Sequence, residues 1–378
     1  MHSFQKKLWH LLLLTLISLP VFAQQLAYKP GGGVALFSDE DMWKLRLLGY
    51  IQSNQTLHTA TENDAISNEF FVRRARLDFI FDYKNRYQIF FELDARGSRT
   101  EMVLAQFDIK YAGNHTIRVG KFITPFSPEN NRSSRSLTTV ERYSGLNSVF
   151  LLPGLDTQYG VMLFAKSGKW EYYLSATNGN GKASQNVRED NNFKDLQARL
   201  VHHLSSKLHI GASANYDDES PQVISLVDHT FTPFNSAAVG GKRLGFLADV
   251  EFNNHPFLLR SEVFRYQFDD ELSPTQQIES FIGGYAEGGY FLNGNTTDGF
   301  QLIGRVETAQ YANLHESLSG PEKLTSLLLG NNFYKDGIMR LQVNLIYEMA
   351  DAVTPFSESR FSGKDNAFEI LTMLQLKF

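Results

Sequence analysis

The sequence predicts an all-β fold: a transmembrane antiparallel β-barrel of about sixteen strands behind a cleaved N-terminal signal peptide. Three observations predict it. The chain opens on an export signal, runs of two-residue hydrophobic alternation carry charge on their second face, and the last alternating segment ends the chain on an aromatic residue.

The export signal comes first. Lys6 and Lys7 form a positive n-region, residues 8–19 are dominated by leucine, and Val21-Phe22-Ala23 supplies a small residue at the cleavage point. A membrane-anchoring helix is the alternative, but the apolar run is short and Pro20 interrupts it. The signal peptide is therefore expected at residues 1–23, with the mature chain beginning at or near Gln24. Its removal takes away two lysines and no carboxylate, so the formal net charge moves from −5 to −7. A mildly acidic exported chain points away from nucleic acid as a partner. Residues 24–44 read as an N-terminal leader, with Gly31-Gly32-Gly33 as a flexible stretch before the first strand, and residues 45–378 as the barrel. Cysteine is absent, which excludes disulfides and thiolate metal sites.

A mean hydropathy of −0.27 is low for a membrane protein. In a barrel it follows from alternation, since every second residue faces a wet lumen. In residues 70–83, Ala75, Leu77, Phe79, Phe81 and Tyr83 lie on one face, and Arg74, Arg76, Asp78 and Asp82 on the other. Residues 87–97 repeat the pattern, and the short Lys84-Asn85-Arg86 connection makes the two segments a hairpin. It recurs at 103–111, 117–119, 170–178, 196–204, 244–252, 257–263, 300–308 and 339–349. A soluble sandwich would turn its apolar face inward and show mostly neutral polar residues outside. Strands of ~10 residues suit a tilted bilayer crossing, and sixteen of them leave room for an aqueous channel. Outer-membrane lipid is thus the expected surrounding.

The final strand places Phe368, Ile370, Leu374, Leu376 and Phe378 on one face. A terminal phenylalanine in this setting resembles the signal by which the barrel-assembly machinery recognises outer-membrane barrels. An ordinary buried strand is the alternative.

Residues 124–153 break the alternation. Pro125, Pro128 and a run of Asn, Arg and Ser make this a long loop. Its apolar share, Leu137, Val140, Tyr143, Leu146, Val149 and Phe150, favours a segment folded into the barrel as a constriction over an exposed extracellular loop. Arg132, Arg135, Glu141 and Arg142 would then stand nearest the solute. The stretches 178–194 and 217–241 read as external, variable loops.

Several of these segments together resemble a known family. Residues 72–79 (VRRARLDF), Ile117-Arg118-Val119-Gly120-Lys121-Phe122, Pro125-Phe126-Ser127, Ser133-Ser134, Glu141-Arg142 and the Asn178-Gly179-Asn180-Gly181 turn follow one another as in the phosphate-selective porin O/P family. The resemblance spans nearly the whole mature chain and implies a sixteen-stranded barrel, a homotrimer, and diffusion of small hydrophilic or anionic solutes through an arginine-lined pore. It marks Arg74 and Arg76 as members of the strand motif. By alternation Arg96, Arg118, Arg199, Arg243, Arg260, Arg305 and Arg340 also turn to the lumen, but so do Asp78, Glu92, Asp94, Asp108, Glu262, Glu307 and Glu348. A paired interstrand network is the competing reading for each arginine. The pore-lining candidates are Arg74, Arg76, Arg118, Arg132, Arg135 and Arg142.

Enzyme motifs do not emerge. There is no His-Glu-x-x-His or Gly-x-Ser-x-Gly, and Ala176 stands where a phosphate loop before Gly181-Lys182 needs glycine. His202 and His203 are adjacent on a strand and face opposite sides, so they cannot share a metal. No catalytic residue, metal ligand or cofactor is expected. A barrel hydrolase and a secreted β-sandwich that binds carbohydrate are the alternatives.

Overall fold

A computed structural model of the chain describes residues 25–38, 42–58, 68–97, 100–150, 152, 155–179, 193–218, 221–229, 231, 233–269, 276–315, 318, 320–352 and 365–378. The expected signal peptide lies outside the described residues, as does most of the 178–194 stretch.

In chain order the strands are β1 (Gln25–Lys29), β2 (Gly33–Phe37), β3 (Trp43–His58), β4 (Asn68–Tyr83), β5 (Tyr87–Asp94), β6 (Glu101–Lys110), β7 (His115–Ile123), β8 (Thr157–Ser167), β9 (Trp170–Thr177), β10 (Asp195–His203), β11 (Leu208–Asp218), β12 (Gln222–Val227), β13 (Pro233–Val239), β14 (Lys242–Asn254), β15 (Phe257–Phe268), β16 (Ile278–Gly294), β17 (Gly299–Leu314), β18 (Lys323–Lys335), β19 (Met339–Ala350) and β20 (Asn366–Lys377). Two short helices, α1 (Pro128–Asn131) and α2 (Ser144–Phe150), lie between β7 and β8. Strands β3–β11 and β14–β20 pair antiparallel in sequence, and β20 pairs back with β3. The wall is thus a closed barrel of sixteen strands, with no open edge between its first and last strands.

Burial is inverted relative to a soluble protein. Phe81, Phe91, Phe107, Val119, Leu174, Phe246, Leu259, Val263, Leu327 and Leu345 are exposed on the outer face. Arg74, Asp78, Glu92, Asp108, Glu262, Arg305, Glu307, Arg340 and Glu348 are buried inside. This is the arrangement that lipid outside and polar groups inside require, and it rules out the soluble sandwich.

The two rims differ. On one, turns are short: Lys84 (φ 49°) and Asn85 (φ 54°) both adopt the left-handed conformation that a tight hairpin demands. Aromatic rings gather there, with Tyr83 stacked on Tyr87 at 6.5 Å and Tyr87 on Phe107 at 6.1 Å, as expected of an interfacial girdle. The longer connections leave from the opposite rim, which by the same rule is extracellular.

Closure is tight at the seam. The backbone N–H of Phe378 donates to the Gly49 carbonyl at 3.1 Å, and a side chain at position 49 would run into the Phe378 ring. Below this point β2 takes over as the neighbour of β3, pairing Val34 with Leu47 and Phe37 with Lys44, and β1 folds back on β2. The glycine run therefore does not precede the first strand as a flexible leader. Gly31 and Gly32 turn a hairpin, and Gly31 (φ 64°) packs against the Gly337 turn, where a Cβ would collide.

Candidate functional site

The segment between β7 and β8 folds into the lumen. Phe126, Leu137, Val140, Tyr143, Leu146 and Val149 are each at most 1% exposed. The barrel wall holds it through glutamates on three consecutive strands. Glu262 of β15 accepts from Ser127 Oγ and from the backbone N–H of Glu129, both at 2.6 Å. Glu287 of β16 accepts from Thr138 Oγ1 at 2.6 Å. Glu307 of β17 accepts from the backbone N–H of Ser144 at 2.6 Å. Glu262 and Glu307 thus satisfy N–H groups at the starts of α1 and α2, where backbone donors have no partner within the helix. From β19, Asn344 accepts the Val140 N–H at 2.7 Å and Arg340 donates to the Leu137 carbonyl at 2.6 Å.

A second segment also enters the lumen, which corrects the expectation that 217–241 is external. Strands β12 and β13 form a hairpin whose Ile224, Leu226, Val227, Phe234 and Ala237 are buried. Ser148 of α2 accepts the Val227 N–H at 3.1 Å, and the Tyr311 hydroxyl accepts that of Leu226 at 2.9 Å. The strands are six and seven residues long, too short to cross a bilayer, and apolar enough to pack between the wall and α2.

Both segments bond to strands between β14 and β20, and the segment between β7 and β8 also reaches Gln52 of β3 and Arg73 and Asp78 of β4, leaving lumenal space along β3–β7. A cavity of about 490 Å³ remains there, lined by Arg73, Arg74, Arg76, Arg96 and Arg142 and by Glu92, Asp94, Glu101, Glu141 and Asp156. Formal charge in this lining balances, so its electrostatics depend on how the groups are arranged.

The structure places each expected arginine as follows. Arg74 is buried, donating to Gln52 at 2.9 Å and to Glu141 at 3.2 Å. Arg76 pairs with Glu92 and Asp94 of β5. Arg118 makes a bidentate pair with Asp108 at 2.7 and 2.8 Å, outside the cavity lining. Arg132 reaches Glu251 of β14 at 2.7 Å, and Arg135 reaches Asp78 at 3.4 Å. Arg142 donates to the carbonyls of Glu129, Asn130 and Arg132, which makes it a brace within the inserted segment. The network reading of the lumenal charges therefore describes the wall well: Arg305, for example, joins Glu129 at 3.0 Å to Glu287 at 2.6 Å, fully buried.

Arg73 was not among the expected residues. Alternation puts it on the lipid face with Ala75, but the register of β4 against β3 slips between Gln52 and Ser53, so Arg73 has no partner position there. This bulge turns Arg73 inward beside Arg74. Its Nε and Nη2 bond Glu141 at 2.6 and 3.2 Å. Burial alone would raise the Glu141 carboxyl, yet the two guanidiniums and their hydrogen bonds outweigh it and hold it at about 2. Glu129 is likewise held below the usual carboxylate range: burial opposes this, but Arg305, Arg132 and Arg142 prevail.

In four of the lumenal pairs the arginine side chain is the more exposed partner, whereas Arg74 and Arg305 are as buried as their carboxylates. Side-chain exposure is 17% for Arg73 against 4% for Glu141, 19% for Arg76 against 3% for Asp94, 44% for Arg96 against the same Asp94, and 32% for Arg135 against 3% for Asp78. The carboxylates lie behind, fixing the orientation of cations whose remaining N–H groups face water.

A closed sixteen-stranded barrel with an apolar exterior, a charged lumen and inserted segments that leave a side passage is the architecture of an outer-membrane porin. The profile of the phosphate-selective porin O and P family matches residues 51–375, and the chain belongs to that family. It is a porin of the Gram-negative outer membrane. No curated protein sequence matches the chain. Among solved structures it resembles OmpT, an outer membrane protein of Vibrio cholerae (13% identity, 89% of this chain and 98% of that one, TM-score 0.62). It also resembles the outer membrane channel DcaP of Acinetobacter baumannii (13%, 94% and 100%, 0.61) and an anion-selective porin from Comamonas acidovorans (10%, 89% and 100%, 0.60). At these identities the likeness is one of fold.

Proposed function

We propose that this porin passes small hydrophilic solutes with a preference for anions, acting as a passive channel with no catalysed reaction. The observation that carries the reading is the exposure asymmetry: Arg73, Arg76, Arg96 and Arg135 present guanidinium to water while their carboxylates sit behind them. In a narrow passage with protein walls, screening is weak, so an approaching anion responds to the nearer charge. Guanidinium donors also fit oxyanions, phosphate among them. The inserted segment 124–153 acts as the constriction, with Arg132 at its edge and Arg142 holding its shape.

The working unit is proposed to be a homotrimer in outer-membrane lipid, inserted by the barrel-assembly machinery. One solved structure of the Vibrio cholerae OmpT is a trimer form, and the family resemblance points the same way. Residues 1–23 would be removed on export, leaving 24–44 as the N-terminal portion and 45–378 as the barrel.

Reconstitution in a planar bilayer tests the reading. A reversal potential of anionic sign in a chloride gradient, with conductance reduced by added phosphate, is expected. A cation-selective channel would overturn the anion preference, and a correctly inserted barrel with no conductance would overturn the channel itself.

A further inference from the structure

His229 sits at the tip of the β12–β13 hairpin and is 1% exposed. Both of its ring nitrogens meet carboxylates on separate strands of the wall: Nε2 lies 2.7 Å from Glu307 Oε1 on β17, and Nδ1 lies 3.0 Å from Glu348 Oε1 on β19. A neutral imidazole has one N–H and can donate to only one of two ionised carboxylates, so with Glu307 and Glu348 both ionised the geometry calls for the doubly protonated ring. Two residues on, Phe231 enters the cavity lining, with its ring centroid 5.7 Å from the Arg73 guanidinium. We propose that His229, as an imidazolium, is the positioning residue that seats this hairpin, so that Phe231 stands in the passage against Arg73 and narrows it.

Other charged groups around the ring fit this role. A carboxylate oxygen of Glu369 on β20 lies within 4.8 Å of a His229 ring nitrogen and of a Glu348 carboxylate oxygen, Asp228 precedes His229 on the hairpin, and Arg305 acts on Glu307 from its own strand. From α2, Asn147 Nδ2 donates to the His229 carbonyl at 3.5 Å. Loss of the ring's proton removes the donor to one of Glu307 and Glu348 and the attraction to both, which weakens the seat. Burial opposes the charged ring, but Glu307 and Glu348 outweigh it and raise the His229 pKa well above 6.5. A group whose folded-state pKa is raised contributes fully below its unfolded pKa and loses that contribution as pH rises through the folded one. The seat therefore holds through neutral pH and loosens on the alkaline side.

The proposal rests on the barrel being a channel and not on its ion preference. Single-channel conductance of the full-length protein, recorded as a function of pH in bilayers, tests it. Wild type is expected to show a flat conductance through neutral pH and a rise, with added current noise, under alkaline conditions. His229→Ala should already conduct at the higher level at neutral pH and lack the alkaline rise. His229→Lys keeps a cation and several donors, so it should restore the lower conductance and move the rise to higher pH. Phe231→Ala should widen the passage yet keep the alkaline rise. Heat-modifiable mobility in detergent reports whether each variant has folded. A wild-type conductance that ignores alkaline pH, or a folded His229→Ala channel with wild-type conductance, overturns the proposal. So does a wild-type conductance set by zinc or a chelator, which would assign His229, Glu348 and Glu369 to a bound cation.

Discussion

Arg73 donates through Nε to Glu141 at 2.6 Å, from a strand position that regular alternation assigns to lipid. With Arg74 on the same carboxylate, one residue of the inserted segment occupies two consecutive arginines of the wall.

Glu141→Gln releases both guanidiniums toward the cavity. Anion preference, read as reversal potential in a salt gradient, is expected to increase. Removing one member of a buried pair costs about 3–5 kcal/mol, so some loss of thermal stability should accompany it. An unchanged reversal potential in a folded variant would remove Glu141 from the selectivity argument.

The same pair fixes a pH dependence. Glu141 is held at about 2, below the ordinary 4.5, so its contribution is complete above 4.5 and disappears only as pH falls toward 2. Acidifying from pH 7 to pH 5 should leave its neutralising effect on Arg73 and Arg74 intact, and the difference in selectivity between wild type and Glu141→Gln should stay constant over that range.

Arginines in different roles should respond differently. Arg135→Ala, at an exposed guanidinium, and Arg132→Ala should each weaken anion preference while the barrel folds normally. Arg74→Ala with Arg76→Ala should act in the same direction, muted by the carboxylates that remain. Arg142 braces three carbonyls of the inserted segment, so Arg142→Ala should chiefly make single-channel current noisier.

The lipid face is tested by neighbouring positions. Phe79→Arg, on the outer face of β4, should cost about 2–4 kcal/mol and impair insertion. Asp78→Asn, one residue away, faces the lumen and leaves behind an Arg135 side chain that is 32% exposed and can stay hydrated, so it should be milder for folding and leave insertion intact. Equal tolerance at both would contradict the face assignment.

Deleting Phe378 removes its hydrogen bond and ring contact with Gly49 at the seam. Less inserted barrel is expected, with unchanged conductance per channel; surface abundance equal to wild type would count against an assembly role for the residue.

The sequence by itself determined the barrel, because a two-residue period with charge on one face and aromatics on the other has few other solutions once the backbone must bond itself in lipid. Which strand residues meet lipid and which meet the lumen follows from parity alone, as Phe79 and Asp78 show. The apolar residues Leu137, Val140, Tyr143, Leu146 and Val149 likewise announced that residues 124–153 must pack against something. Tertiary structure decided the rest. One slipped register opposite Gln52 reversed the parity at Arg73, and no pattern in the chain marks where a ladder slips. The β12–β13 hairpin went inside because its buried face, with Ile224, Leu226 and Ala237, found the wall and α2, surfaces assembled from distant parts of the chain. The passage owes its character to the order in depth of arginine and carboxylate. A list of charges along the chain gives their sum, whereas the potential at the solute depends on which of each pair stands nearer the water.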